Sequence, residues 1–242
     1  MRLTTLGGCG AWPAAGRACS GYLVEQDGFR VLIDPGYAVL PRLLEIIPAE
    51  DLDAVLVSHG HPDHCADLKP LLRARALGDD PPAALPVYAP GGALDAVLAL
   101  DRPGMLDDAI AVHSFDPGDQ FAVGPFEVRT WLLPHWVRNA GLRLQAGGET
   151  LAYTGDSGPS PDLIPLAASA EVFLAEATYP DVVPADSAGH LSSARDAGRI
   201  ATRAGVGRLV LTHLWPGTPP GMAMEAAAAE FNGEISVAGE DR

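Results

Sequence analysis

Apolar residues recur along this chain with two periods, and the chain switches between them many times. Short apolar runs bounded by Gly, Asp or Pro predict strands at residues 21–25, 29–34, 54–59 and 87–89, with a turn at Gln26-Asp27-Gly28 between the first two. Spacings of three and four predict helices at about 38–47, 65–76 and 92–100. Further strands are expected at 109–115, 126–133, 142–146 and 150–153, followed by a helix near 161–168. Runs at 172–175 and 208–211 read as buried strands flanking a helix at 192–204 that Ser192 or Ser193 caps, and a helix at 223–231 and a strand at 235–238 close the chain. This order fits two mixed sheets with helices outside better than a regular βαβ alternation.

With 242 residues, 48% of them hydrophobic, the chain can bury a substantial core, and its 22 prolines and 27 glycines are scattered through short loops. One domain over residues 1–242 is therefore expected. The formal charge of −15 would repel a polyanion, which disfavours nucleic acid as a partner. The first residues lack the apolar stretch of a signal peptide, and no run approaches the roughly 20 apolar residues of a membrane span, so a soluble cytoplasmic protein is expected. Three cysteines, Cys9, Cys19 and Cys65, are too few for a disulfide framework.

Candidate chemistry sharpens the picture at Ser58-His59-Gly60-His61-Pro62-Asp63-His64, where three imidazoles and a carboxylate follow an apolar strand. Imidazole and carboxylate suit zinc and its neighbours, and a turn after a strand lets side chains that would diverge converge on one point. His135, Asp156, His190 and His213 also follow apolar runs or Gly-rich turns. Cys65 reads as a small buried cysteine and His113 as a sheet residue. Asp34 and Asp67 read as structural acids, Asp34 being a candidate to hold the second N–H of a ligating imidazole. Gly7, Gly8 and Gly10 lack the spacing of a phosphate-binding loop and suggest a tight turn. Loops 78–85 and 179–189 are placed to cover the site, and Trp131, Trp136 and Trp215 to line it.

On these residues the sequence resembles the metallo-β-lactamase superfamily, and within it the ribonuclease Z-like hydrolases. The signature His-x-His-x-Asp-His is met by His59, His61, Asp63 and His64, and the later ligands by His135, Asp156 and His213 in order. The resemblance implies an αββα sandwich with a dinuclear centre, usually zinc and less often manganese or iron. One ion would take His59, His61 and His135, the other Asp63, His64 and His213, with Asp156 bridging and a shared water as nucleophile. Ala175-Glu176-Ala177-Thr178-Tyr179 and Gly189-His190-Leu191-Ser192-Ser193 resemble ribonuclease Z segments in which His190 would approach the scissile phosphate with Glu176 as its partner. Asp63 would orient the nucleophile. The resemblance also implies a homodimer.

One departure redirects the function. Ribonuclease Z enzymes of the short form carry a long arm between the equivalents of His135 and Asp156, whereas only the 20 residues from Trp136 to Gly155 lie there in this chain, enough for a strand pair. With the acidic charge, this points to a small anionic substrate. The expected activity is hydrolysis of small phosphodiesters, with a lactone, sulfate or other ester, or the 3′ end of a precursor tRNA, as the alternatives.

Overall fold

The structure, a computed structural model, describes residues 1–239. The first sheet contains β1 (Arg2–Cys9), β2 (Ala18–Cys19), β3 (Gly21–Gln26), β4 (Phe29–Ile33), β5 (Ala54–Leu56), β6 (Leu85–Pro90) and β7 (Ile110–Phe115), in the order β2-β1-β3-β4-β5-β6-β7. Between them run α1 (Val39–Leu44), α2 (Pro62–Cys65), α3 (Leu68–Ala76) and α4 (Asp95–Leu98). The second sheet is built from β8 (Gln120–Val123), β9 (Phe126–Leu133), β10 (Asn139–Ala146), β11 (Glu149–Tyr153), β12 (Val172–Glu176), β13 (Arg208–Thr212) and β14 (Glu234–Val237), in the order β14-β13-β12-β11-β10-β9-β8. Its helices are α5 (Leu163–Ala167), α6 (Ala194–Ala204) and α7 (Pro220–Ala228).

The sandwich follows from strands that are apolar on both faces. In β3 and β4, Tyr22, Val24, Val31 and Ile33 point to the other sheet, while Leu23 and Leu32 meet Leu43, Leu68 and Leu72 of α1 and α3. Likewise Leu174 and Val210 face inward, whereas Phe173, Ala175, Leu209 and Leu211 pack on α5, α6 and α7. Each fully buried Leu or Phe contributes roughly 1.5–3 kcal/mol, so three such layers supply the main driving force. This is the αββα arrangement of two mixed sheets that the sequence led us to expect.

Local chemistry sets the connections. Asp27 and Gly28 are both left-handed (φ 52° and 84°), as a two-residue hairpin turn requires. Ser193 caps α6 in a capping box with Asp196, and Gly205 ends that helix in a left-handed cap. The segment between His135 and Asp156 is the antiparallel pair β10–β11, turned at Gly147-Gly148.

Four expectations are corrected. Gly7 and Gly8 lie in β1, not a turn, and neighbouring segments crowd them: a Cβ at Gly7 would stand 2.2 Å from the Cys19 carbonyl oxygen, and one at Gly8 2.7 Å from Ala238 Cβ. The expected helix at 65–76 breaks between α2 and α3, where the Asp67 N–H donates to Pro35 O and its carboxylate accepts from the Leu40 N–H. The expected strand at 54–59 leaves the ladder after Leu56, and the Ser58 N–H donates to Asp34 instead. Loop 78–84 does not cover the site: it enters β6 from the end opposite His59, since β5 and β6 run parallel, and Arg75 holds its Ala83 carbonyl. No helix among the described residues is long and apolar enough to cross a membrane.

Candidate metal centre

Asp34, His59, His135, Asp156 and His213 all stand just beyond the C-terminal ends of strands, at β4, β5, β9, β11 and β13, and Asp63 and His64 lie in α2 just after the β5 loop. Two four-residue groups result, each able to hold a metal ion: His59, His61, His135 and Asp156, and Asp63, His64, Asp156 and His213. Asp156 belongs to both. Its Oδ2 lies 3.8 Å from His59 Nε2, 3.7 Å from His135 Nε2 and 3.1 Å from His213 Nε2, while its Oδ1 lies 3.2 Å from His64 Nε2.

Hydrogen bonds around the cluster dictate where its imidazole protons sit. His64 donates from Nδ1 to Asp34 Oδ2 at 2.8 Å. Ser58 gives its hydroxyl proton to the same oxygen at 2.6 Å, so its Oγ accepts from His59 Nδ1 at 3.0 Å. Thr178 gives its proton to Glu176 at 2.6 Å and therefore accepts from His213 Nδ1 at 2.8 Å. His135 Nδ1 donates to the His190 carbonyl at 3.0 Å. Four rings thus have Nδ1 committed to an outer acceptor and Nε2 facing inward, the arrangement in which histidine, once neutral, ligates metals.

That state fits a cation and little else. His61 Nδ1 lies 3.1 Å from both His59 Nε2 and His135 Nε2, and one imidazole proton cannot satisfy three converging nitrogens. Donors 2.0–2.1 Å from a tetrahedral zinc stand about 3.3 Å apart, close to these separations. His64 Nε2 and Asp156 Oδ1 are buried and have no hydrogen-bond partner among the described residues. Electrostatics agree: burial and neighbouring imidazoles press the pKa of His59 well below its usual value. Burial also opposes charge on His64, yet Asp156 and Asp63 hold its pKa well above the usual value, so positive charge between the carboxylates is favoured.

Asp34 is fully buried and accepts from the Ser58 N–H at 2.7 Å and the Tyr153 hydroxyl at 2.7 Å besides His64 and the Ser58 hydroxyl, which connects it to both metal groups. Asp63 is fixed by the Ala11 N–H at 2.8 Å and lies 3.2 Å from His213 Nε2.

Glu176 requires a correction. It does not pair with the His190 ring: its carboxylate accepts from the Ser157 N–H (2.6 Å), the Ser192 N–H (3.1 Å) and Thr178 (2.6 Å). It thus orients His213 through Thr178 and reaches His190 only through the backbone of the following residues. Burial, and then Asp156, push its pKa up to about 8, against the opposing pull of His213, Thr178 and the Ser157 N–H. His190 instead lies against Trp136, ring centroids 5.0 Å apart, with Nδ1 buried and lacking a partner among the described residues.

Other expectations sort by position. Cys65 donates to His61 O at 3.3 Å and burial lifts its pKa to about 12, so it stays a thiol in the core. His113 stacks on Tyr88 in the first sheet at 4.6 Å. Trp131 is not in the site, since it carries Arg129 over its ring and packs on the α5–α6 layer. Trp12, which the sequence reading passed over, is in contact with Trp215, centroids 4.9 Å apart. No local pattern marks it, because only the pairing of Gly10 with Leu214 brings it there.

Comparison with known proteins agrees with this geometry. Residues 29–214 match the family model described as a β-lactamase superfamily domain. The chain is 35% identical to the probable metallo-hydrolase YhfI of Bacillus subtilis over 242 residues, covering 98% of this chain and 97% of that protein. The crystal structure of YhfI, described as a metallo-β-lactamase fold protein, superposes with a TM-score of 0.88 at 34% identity, covering 98% of this chain and 95% of that one. A ribonuclease Z of Mycobacterium bovis is 31% identical over 270 residues, covering 98% of this chain and 95% of that protein. With its two sheets, its flanking helices and its His/Asp clusters able to bind metal ions, the chain belongs to the β-lactamase superfamily.

Proposed function

We propose that this chain is a hydrolase of small phosphodiesters working with two divalent cations, zinc by preference. His59, His61 and His135 would hold one ion, Asp63, His64 and His213 the other, and Asp156 both. The observation that carries this reading is the shared Asp156 at the junction of two groups, in which His59, His64, His135 and His213 turn Nε2 inward. Divalent cations bound there would polarise a phosphoryl oxygen and lower the pKa of a water molecule.

The remaining work falls to the protein's own groups. Asp63, anchored by the Ala11 N–H, accepts a hydrogen bond from the attacking water and orients it. His190, on the half-open side against Trp136, donates a proton to the departing oxygen. Glu176 positions both ends of this apparatus, His213 through Thr178 and the His190 segment through the Ser192 N–H.

A small substrate is favoured because the segment 136–155 is built around the compact β10–β11 pair and the net charge is −15. The likeness to YhfI, a probable metallo-hydrolase, supports the reaction class, and that to a ribonuclease Z supports a phosphodiester bond. A cytoplasmic homodimer completes this reading, and solution scattering on the purified chain tests the assembly.

The deciding experiment is metal content together with turnover of an aryl phosphodiester and a matched aryl carboxylic ester by zinc- or manganese-loaded protein. Two ions per chain with phosphodiester turnover, lost in His190→Ala, is the expected result. Ester turnover alone would move the substrate to a lactone or other ester, and cleavage of precursor tRNA at low salt would restore the nucleic-acid reading. Absence of bound metal would refute the proposal.

A further inference from the structure

Of the chain's four tryptophans, two stand within two residues of a candidate ligand and a third adjoins a residue that holds one. Trp12 follows Ala11, whose N–H holds Asp63; Trp136 follows His135; Trp215 comes two residues after His213. Trp12 and Trp136 are 50% and 53% exposed, a large apolar area to leave in water beside a polar centre.

Neither indole is loosely held. Trp136 has its ring centroid 5.1 Å from that of His135 and 5.0 Å from that of His190. Trp12 lies 4.9 Å from Trp215, which meets Tyr179 edge-on at 6.3 Å. The chain accepts a left-handed Ala11 (φ 60°) just before Trp12, and Gly10 and Leu214 pair through their backbones to hold the two indole segments together. One aromatic wall therefore stands beside the His59/His61/His135 group and a second beside the Asp63/His64/His213 group.

We propose that these walls select the substrate: a phosphodiester bearing a planar aromatic substituent, an aryl or nucleobase ring, that stacks on Trp136 or Trp12. This rests on the hydrolase reading above and adds the substrate class. A half-exposed indole offers a π-face to a second ring, and stacking of that kind is worth about tenfold or more in binding.

The test compares methyl p-nitrophenyl phosphate with phenyl p-nitrophenyl phosphate on the metal-loaded protein. Both release p-nitrophenol and share its ring, so their ratio reads the wall beside the non-leaving group, while a pair of phosphonates reads stacking with no second ring present. The phenyl ester is expected to have a kcat/KM at least about tenfold higher after correction for the uncatalysed rates. Trp136→Leu and Trp12→Leu should each reduce that ratio, by about tenfold for whichever indole carries the stack, whereas Trp136→Phe and Trp12→Phe should retain most of it, with metal content unchanged throughout. In parallel, phenylphosphonate should quench the tryptophan fluorescence saturably and bind more tightly than methylphosphonate. Turnover of both esters with no phenyl preference in kcat/KM and none between the two phosphonates, or a preference that survives both leucine variants, would overturn the aromatic walls and leave the hydrolase reading intact. Turnover of neither ester would overturn the phosphodiester reading; the walls would then stand or fall on the phosphonate comparison, equal affinity for the two phosphonates refuting them.

Discussion

Replacing Asp34 by Asn should weaken metal binding although Asp34 touches no metal position. The carboxylate accepts four hydrogen bonds, from the Ser58 N–H and hydroxyl, His64 Nδ1 and the Tyr153 hydroxyl, at 2.6–2.8 Å in a fully buried site. Asparagine has nearly the same volume and tolerates the left-handed φ of 50°, so backbone strain is not added. Its amide nitrogen, however, must face donors whichever way the group is turned. Each buried donor left without an acceptor costs about 1–3 kcal/mol, so a loss of about 3 kcal/mol in stability is expected. His64 can relieve part of this by shifting its proton from Nδ1 to Nε2, the atom 3.2 Å from Asp156. That shift removes the lone pair directed into the Asp63/His64/His213 group, and loss of such an outer partner lowers metal affinity by roughly 10–100-fold. Competition titration of the metal-free protein against a chromophoric chelator measures the affinity, and thermal unfolding measures the stability. Tyr153→Phe is the control: it removes one donor, keeps the carboxylate, and should cost about 1 kcal/mol with metal affinity nearly unchanged. Unaltered metal affinity in Asp34→Asn, or an equal loss in Tyr153→Phe, would refute the proton-placement argument.

Three further outcomes are expected. Thr178→Val cuts the Glu176–Thr178–His213 chain and should lower metal affinity about tenfold, while Thr178→Ser, which keeps the hydroxyl, should restore it; chelator competition on both variants decides this. Gly36→Ala would place a Cβ 1.9 Å from the Asp63 carbonyl oxygen, a backbone atom that cannot turn aside, so about 3 kcal/mol and roughly 6–12 °C in Tm should be lost. An unchanged melting curve would show that the α2 loop yields more easily than its geometry implies. Ser193→Ala removes the α6 cap and should cost about 1 kcal/mol in chemical denaturation, with bound metal per chain unchanged.

Much of this was legible in the sequence because the relevant signals are local. The Asp27-Gly28 turn, the doubly apolar strands and the Ser193 cap each depend on neighbouring residues, and each is found where the periodicity placed it. Element ends were less legible. The strand beginning at Ala54 ends at Leu56 because Asp34 captures the Ser58 N–H, and the helix expected over 65–76 breaks where Asp67 bonds to residues some 30 positions earlier. The first strand was hidden because glycine is a poor strand former, and only the close approach of Cys19 and Ala238 explains Gly7 and Gly8.

The candidate site divides in the same way. Sequence alone determined which side chains gather, since a run of three histidines and an aspartate beyond a strand, with His135, Asp156 and His213 at later strand ends, has few other uses. Tertiary structure alone decided which nitrogen of each ring faces inward, that Asp34 serves both metal groups, that Glu176 supports His213 through Thr178 in place of the His190 ring, and that Trp12 joins Trp215. The physical reason is distance along the chain. Ligand type is a property of a residue, whereas a proton's place is set by an acceptor, and these acceptors come from far away in sequence: His64 is held by Asp34 and His135 by His190, and Asp34 is itself bonded to Tyr153 across 119 positions.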